Sequence, residues 1–189
     1  MLEVLHAGRV AHVGVADGDG QPRVLPVAYG MDGDDALLLH GATSSQLFRA
    51  IAGGAPVCVT VTFVDGLVVA NSSFNSSMNY RSVMVFGRGE EVHEDDKLEA
   101  LRLLSEHLYP GHWEVFRPLT AQELKATCIV RIPLDEMSMK SRDYGTGDPE
   151  DDDPLRWAGV LPLQSVFGEP QPGEHVRVPV PEHMTHWNP

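Results

Sequence analysis

The stretch from Ser76 to Gly87 constrains the fold more than any other part of the chain. Its second half, Val83 to Phe86, is a short run of Val, Met and Phe ended by glycine, which is typical of a buried β-strand. Its first half is small and polar and carries one cation, Arg81. An arginine that runs into a buried strand needs an anion or a carboxylate to face. Two alternatives stay open: an anion-binding site, or an edge-strand ion pair with one of the many acidic side chains.

Short strands and turns are predicted throughout the first half of the chain. We expect a terminal helix over 1–8, a three-strand meander over 10–16, 23–29 and 36–40 with turns at 17–20 and 32–35, a helix over 46–52, and a strand over 57–63. Pro26 inside the second strand predicts an edge or a break in the ladder. Asp65-Gly66 predicts a turn into a further strand over 67–70.

The second half of the chain adds helix signals and few strands. Asp95-Asp96 predicts the cap of a helix that ends near Leu108, with four leucines on its core-facing side, namely Leu98, Leu101, Leu104 and Leu108. Thr120-x-x-Glu123 is a capping box before a brief helix, and 126–134 is one more strand. About seven strands with few helices predict a mainly β protein, a small β-barrel. Residues 143–153 are acidic and turn-forming, and we expect a mobile surface loop there.

Composition bounds the partners and the location. A chain of 189 residues with 42% hydrophobic residues can form one domain with a proper core. We place the domain over 1–168 and a proline-rich tail over 169–189. The formal net charge of −13 argues against nucleic acid and anionic membranes as partners. Cys58 and Cys128 lie in apolar runs and predict core thiols, which together with the absence of a signal peptide favours the cytoplasm.

No sequence pattern predicts a metal site or a recognisable catalytic group. The chain has no P-loop, no GxGxxG after a strand and no HExxH helix. His183-x-x-His186 has metal-ligand spacing but lies in the tail without nearby cysteines, so we expect a flexible end there. The serine-rich start of the helix over 46–52, with its free N–H groups, is a candidate anion site, and ordinary capping serines are the alternative.

Four motifs in order resemble a known family. Asn79-Tyr80-Arg81-Ser82 with the strand that ends at Gly87 is similar to the central strand of the pyridoxamine 5'-phosphate oxidase-like flavin-binding split barrels, and the nearest branch contains the nitroimidazole-reductase (Nim) proteins. Leu38–Thr43 with Ser45, Glu123–Thr127 and Trp157–Leu163 agree in sequence order. The resemblance covers about 10–167. It implies an FMN-binding split barrel in which a second subunit completes the pocket.

The resemblance also implies where the cofactor lies. The flavin phosphate is expected by the Ser45 region, and the isoalloxazine ring along Leu25–Val27, with the Asn79–Ser82 strand close by. Lys140 and Arg142 match a basic pair that this branch carries after its last strand, and solvent exposure is the alternative. The candidate FMN-binding residues are Leu25, Pro26, Val27, His40, Gly41, Ala42, Ser44, Ser45, Asn79, Tyr80, Arg81, Ser82, Lys140 and Arg142.

Departures from the family pattern matter for function. Where relatives carry a basic residue after the Ser45 position, this chain has Gln46, so a phosphate partner is missing or is replaced by Arg49. Asn75 and Ser76 stand where relatives carry histidine, so a proton-donor or haem-ligand role there cannot be carried over. The arginine- and histidine-rich C-terminal signature of true pyridoxamine phosphate oxidases is absent, and that activity is not expected.

Two functions are compatible with this reading. The first is an FMN-dependent oxidoreductase that passes electrons from NAD(P)H to a small oxidised acceptor, such as a nitro-aromatic compound, and works as a homodimer. The second is a module that holds FMN or haem without turnover. No general acid or base is recognisable, and flavin hydride transfer needs none, so the sequence does not separate the two functions.

Overall fold

The computed structural model describes residues 1–16, 18–149 and 153–185. They fall into two compact units. The first combines 1–63 with 80–142, and the second combines 64–79 with the chain from 143 onwards. No helix among the described residues is long and apolar enough to cross a membrane.

Strands dominate the structure, as predicted. The helices are α1 (Leu2–Ala7), α2 (Gln46–Ala52), α3 (Lys97–Leu108) and α4 (Ala121–Ala126), with single 3-10 turns at Glu94–Asp96, Trp113–Val115 and Glu182–Met184. The strands are β1 (Val10–Ala16), β2 (Pro22–Asp32), β3 (Ala36–Ala42), β4 (Pro56–Val69), β5 (Ser77–Arg88), β6 (Glu90–Glu91), β7 (Thr127–Pro133), β8 (Glu136–Arg142) and β9 (Gly159–Pro162). The mainly β class is confirmed, and the described residues form nine strands where the sequence predicted about seven.

The strand order confirms the meander and the edge at Pro26. The strands follow β6-β7-β3-β2-β1-β4-β5-β8, and the pairs with resolved register are antiparallel. The β2–β3 register covers only Tyr29–Asp32, whereas the first half of β2 pairs with β1 alone. Pro26 therefore lies where β2 pairs with only one strand. Proline has no backbone N–H to donate, and on the unpaired side of β2 no inter-strand hydrogen bond is lost. The turn at 32–35 is also present, with Gly33 at φ 56° and a hydrogen bond from Asp35 N to Asp32 O.

The turn predicted at Asp65-Gly66 is wrong. β4 runs unbroken through both residues, because β9 pairs with Gly66–Val69 in the second unit. Leu163 N donates to Asp65 O at 3.0 Å, and a Cβ on Gly66 would lie 3.0 Å from Leu161 O. The glycine serves a close approach between two backbones rather than a turn.

One apolar core fills the first unit. Val57, Val59 and Val61 of β4 face it, as their alternation predicts, and Phe63 at the end of the row is half-buried. The core also takes the apolar faces of α1 and α2 and the buried side of β5. Both cysteines are free thiols, and burial raises the pKa of Cys128. Cys128 is a core residue as predicted, whereas Cys58 is only half-buried.

α3 forms a second layer on the opposite side of β2 and β3. Its buried residues are Lys97, Ala100 and Leu104, so the predicted core face is shifted around the helix. Leu98 is 52% exposed, which corrects its assignment to the core. Asp96 precedes the helix but its side chain makes no capping bond. The helix lies so close to the sheet that only glycine fits at position 30, opposite Leu104.

His107 near the end of α3 makes stability depend on pH. Its Nε2 donates to Gly8 O at 2.7 Å, and its ring lies 5.0 Å from that of Tyr29. Burial lowers the pKa of His107 to about 4, against an ordinary value near 6.5. Between about pH 4 and 6.5 His107 is protonated in the unfolded chain but neutral in the folded protein. The stability that the neutral ring contributes is therefore complete above about pH 6.5 and is lost as the pH falls towards 4.

We therefore expect the free energy of unfolding to fall as the pH is lowered from about 6.5 towards 4. Urea denaturation at several pH values measures the slope. His107→Gln keeps a side-chain donor and cannot titrate, so its slope should be smaller than that of the wild type. Equal slopes in the two proteins would contradict the assignment to His107.

The acidic segment is anchored in its described part, 143–149. Tyr144 N donates to Asn79 Oδ1 at 3.3 Å, and the Asp148 carboxylate accepts from Asn71 N at 3.0 and 3.1 Å. These bonds connect the segment to the other half of the second unit, and the mobility of the loop stays a prediction. Residues 150–152 lie outside the described residues. The boundary at 168 between domain and tail stays a prediction.

Candidate functional site

The polar residues of β5 lie in the first half of the strand. β5 begins at Ser77, so Asn79–Ser82 follow closely after its start. Lys140 and Arg142 are also on a strand, β8, rather than after the last one. In the antiparallel register Tyr80 lies opposite Arg142, and Ser82 lies opposite Lys140.

The strand pair presents two different faces. Residues directly opposite in an antiparallel pair share a face, and successive residues alternate. Tyr80, Ser82, Lys140 and Arg142 therefore lie on one face, which we call the β5–β8 cluster. The Ser82 hydroxyl is 2.7 Å from the Thr62 hydroxyl of β4, which adds a second hydroxyl to this face. In a chain of net charge −13, two cations on one strand face give this surface a local positive charge.

Arg81 is on the other face of β5. Its guanidinium carbon lies 5.0 Å from the centroid of the Phe63 ring, a cation–π arrangement. Its strand neighbour on that face is Val83, which is fully buried in the core. Arg81 itself is exposed. The sequence-predicted patch Asn79–Ser82 thus divides between the two faces of β5.

Asn79 belongs to the second unit, where its side chain accepts a hydrogen bond from the backbone. Its side chain is 5% exposed, and its Oδ1 accepts the bond from Tyr144 N. A buried amide with this partner anchors the start of 143–149. The structure therefore gives Asn79 a structural contact and does not join it to the β5–β8 cluster.

Leu25, Pro26 and Val27 lie on the open half of β2. Leu25 is 47% exposed, Pro26 is exposed and Val27 is half-buried. Their register partners are Val13, His12 and Ala11 of β1. An apolar strand edge with one side unpaired offers both a flat surface and backbone hydrogen-bonding groups. This is the property that a planar heterocycle with polar edges needs.

His40, Gly41 and Ala42 end β3, and Ser44 and Ser45 lead into α2. Gly41 is packed against the Phe48 ring, so its face looks towards α2 and the core. His40 alternates to the other face, beneath α3, where burial lowers its pKa and keeps the imidazole neutral at neutral pH. Ser45 is the N-cap residue but its side chain makes no capping bond. His40 therefore does not join the serines.

One cation was missed by the sequence reasoning. Arg23, near the start of β2, donates from its guanidinium to Gln46 Oε1 at 3.0 Å. A positive charge thus stands at the start of α2 although Gln46 replaces the basic residue of the family pattern. Arg49, the substitute suggested by the sequence, lies in the last turn of α2. The sequence could not predict this contact, because positions 23 and 46 meet only in the folded chain.

The two parts of the predicted site are separate on the sheet. Leu25–Val27 and Arg23 are on β2, and the β5–β8 cluster begins three strands further along the order β2-β1-β4-β5. Three strand spacings correspond to roughly 14 Å along a flat sheet. No group of three or more metal-ligating side chains occurs among the described residues. His186 of the predicted His183-x-x-His186 pair lies outside those residues.

The protein is of the mainly β class, with an antiparallel sheet that has an open apolar edge on β2 and two cations on β8. The family model described as "Pyridoxamine 5'-phosphate oxidase" matches residues 1–141. The chain belongs to this family, and its fold is the split barrel. A search of curated proteins gives no match.

Two solved structures are similar over nearly the whole chain. One is the FAD and haem binding protein from Mycobacterium smegmatis, with 36% identity, a TM-score of 0.91, and coverage of 96% of this chain and 90% of that one. The other is the flavocytochrome Anf3 from Azotobacter vinelandii, with 37% identity, a TM-score of 0.89, and coverage of 97% and 86%. A third, a putative 5-nitroimidazole antibiotic resistance protein from Bacteroides thetaiotaomicron VPI-5482, has 21% identity, a TM-score of 0.61, and coverage of 73% and 80%, and shares the fold.

Proposed function

We propose that the protein binds a flavin, FMN in the first place, and passes electrons from NAD(P)H to a small oxidised acceptor such as a nitro-aromatic compound. The observation that carries the proposal is the β5–β8 cluster, where Lys140 and Arg142 lie opposite Ser82 and Tyr80 in a strongly acidic chain. Cations with adjacent hydroxyls are the groups that bind a phosphate monoester.

The residues present fit a flavin nucleotide. Lys140, Arg142 and the Ser82 hydroxyl supply charge and hydrogen bonds for a phosphate. The exposed edge of Leu25–Val27 supplies an apolar surface and unpaired backbone groups for a ring with polar edges. When bound, the flavin supplies the redox chemistry, and the chain supplies binding, orientation and electrostatics. Arg81 and Arg23 add positive charge on neighbouring surfaces.

The two relatives over 30% identical support a flavin more strongly than they support FMN in particular. The M. smegmatis protein is described as binding FAD and haem, and the A. vinelandii protein as a flavocytochrome. FAD carries the same ring with a longer anionic arm. FMN stays our proposal, and FAD is the comparison that every binding experiment should include.

Electron transfer is tested by anaerobic reduction. The flavin-loaded protein is mixed with NADH or NADPH without oxygen, and the flavin absorption is followed. We expect bleaching by at least one nicotinamide and recovery of colour when a nitro-aromatic acceptor is added. Loaded protein that keeps its absorption with both nicotinamides would contradict an oxidoreductase and favour a binding module.

A homodimer is expected because the second unit leaves many large apolar side chains exposed. They include Phe74, Leu155, Trp157, Leu161, Val166 and Val178. Phe74 is 94% exposed, and solvent exposure of such a set is costly for a monomer. A second copy would cover them and could bring its own β2 edge to the β5–β8 cluster.

Light scattering at micromolar concentration measures the assembly. We expect twice the chain mass in the flavin-loaded protein, and a monomer that still holds flavin would contradict the shared site.

The cytoplasm remains our proposed location, since both cysteines are free thiols.

Haem binding without turnover is the second candidate. It is favoured by the descriptions of the same two relatives, a haem-binding protein and a flavocytochrome. Asn75 and Ser76 stand where the family pattern has histidine, so any haem here would need another ligand. A Soret band in the purified protein, retained after gel filtration, would favour this candidate.

A further inference from the structure

A groove in the first unit is not used by the proposed flavin site. It has a volume of about 910 Å³ and lies between α3, α4 and the segment 109–119, which we call the aromatic segment. Ligand sites for small molecules have volumes of roughly 300–1,000 Å³. His40 lines the groove from β3, on the face of the sheet opposite Gly41 and α2.

α3 presents the exposed Leu98 and the partly buried Leu101, which also packs against the core, to this groove. Leu98, Leu101 and Ser105 line it, at helical spacings of three and four residues, beside the buried row that contains Leu104. A solvent-facing row would ordinarily be polar. Leu98 is exposed although it is apolar, and packing against the core does not account for it. A ligand-binding surface would account for it.

The opposite wall of the groove is already fixed in place. Glu106 holds the start of the aromatic segment by accepting from Gly111 N at 2.8 Å and Trp113 N at 3.3 Å. The Phe116 ring is held edge-on by the rings of His112 at 4.7 Å and Tyr109 at 6.2 Å. Trp113 and Phe116 both line the groove. An aromatic wall ordered before binding costs little entropy when a flat ligand arrives.

The floor offers hydrogen bonds to an uncharged ligand. Among the described residues, neither the His40 ring nor the Ser105 hydroxyl has a protein hydrogen-bond partner. A neutral imidazole provides one donor and one acceptor, and the hydroxyl provides both.

The charges of the groove disfavour an anion. The positively charged residue that lines the groove is Arg117. Its guanidinium donates to both carboxylate oxygens of Glu123, at 2.5 and 2.9 Å. The hydrogen bonds from Arg117 and Thr120 hold the pKa of Glu123 at about 2, so the pair stays ionised and is neutral as a whole. Glu114 adds a negative charge to the lining. A phosphate, a carboxylate or a haem propionate would meet an acidic surface.

We propose that this groove is a second binding site, separate from the flavin site, for an uncharged aromatic molecule that carries a hydroxyl or carbonyl oxygen. The ring lies against Phe116, Trp113 and the leucines of α3, and the oxygen bonds to His40 or Ser105.

The probe is 2-naphthol, followed by its fluorescence anisotropy with the flavin-loaded protein. We expect saturable binding of one molecule per chain. Phe116→Ala should raise the dissociation constant about tenfold, because it removes the aromatic wall. Val115→Ala is the control, since it truncates an exposed apolar side chain of the same segment that does not line the groove, and it should leave the affinity unchanged. If Phe116→Ala misfolds, Leu98→Asp at the rim gives the same comparison.

A charged probe and competition experiments distinguish the proposed uncharged ligand from other possible occupants of the groove. Naphthalene-2-sulfonate has the same rings with an anionic group, and we expect it to bind at least about tenfold more weakly than 2-naphthol. Equal affinity of the two probes, or equal affinity of the Phe116→Ala and Val115→Ala variants, would overturn the proposal. Displacement of 2-naphthol by FMN or haemin would assign the groove to a cofactor. Conversion of the dimer to a monomer by Phe116→Ala would assign the groove to a second copy of the chain. Either this result or displacement by a cofactor would also overturn the proposal.

Discussion

Arg81→Ala is expected to weaken flavin binding about tenfold to hundredfold, whereas Arg102→Ala should leave it unchanged. A charge-assisted contact between the Arg81 guanidinium and an anionic or polar group of the flavin nucleotide is worth roughly 1.5–3 kcal/mol, which gives this range. The Arg81 guanidinium is positioned over the Phe63 ring. Arg102 is paired with Glu99 on exposed α3 through bonds of 2.6 and 2.8 Å. Titration of each variant with FMN and FAD by equilibrium dialysis measures the difference.

The two faces of β5 make the experiment more specific. Lys140→Ala removes a cation from the face opposite Arg81, so the two variants report on different surfaces. If the phosphate binds at the β5–β8 cluster of the same chain, Lys140→Ala should cause the larger loss. A larger loss in Arg81→Ala would place the phosphate on the Phe63 side. Equal affinities for the wild type, Arg81→Ala and Lys140→Ala would make both residues structural.

Gly30→Ala is expected to destabilise the protein by roughly 1–3 kcal/mol, the range for overpacking a filled interior. A Cβ at position 30 would lie 2.6 Å from the Leu104 Cα and 3.1 Å from its Cδ2. The first contact is with helix backbone, so a side-chain rotation cannot relieve it. α3 would have to move away from β2, and the groove wall that it carries would move too.

Gly18→Ala is the matched control, because a Cβ there meets no atom within 4 Å and no positive φ is needed. Urea denaturation followed by circular dichroism gives the free energy of unfolding for both variants, provided that the transition has two states. We expect a lower midpoint for Gly30→Ala alone. Coincident midpoints for the two variants would mean that α3 accommodates the methyl group without cost.

Local signals predicted the elements well where the stabilising contacts are themselves local. α2 covers Gln46–Ala52, the range that the sequence predicted. In the capping box, Glu123 N donates to Thr120 Oγ1 at 3.2 Å, and Thr120 N donates back to Glu123 Oε2 at 2.8 Å. These bonds depend on residues three apart, so sequence spacing contains the required information.

Features that depend on distant partners were not predictable in the same way. Asp65-Gly66 has turn residues, and the β9 strand that keeps it extended lies almost a hundred positions further on. Arg23 reaches Gln46 only because β2 and α2 meet in space. Neighbouring Asn79, Arg81 and Ser82 suggested one polar patch, but strand alternation and the unit boundary distribute them over different surroundings. The candidate site residues therefore remain predictions for binding experiments.

The absorption spectrum of the protein after titration with flavin tests the central proposal most directly. Protein from a flavin-replete host, or supplied with FMN or FAD, is passed through gel filtration and its spectrum is recorded. We expect flavin bands that remain with the protein at about one flavin per chain. A spectrum without flavin bands after titration with both nucleotides would contradict the proposed function.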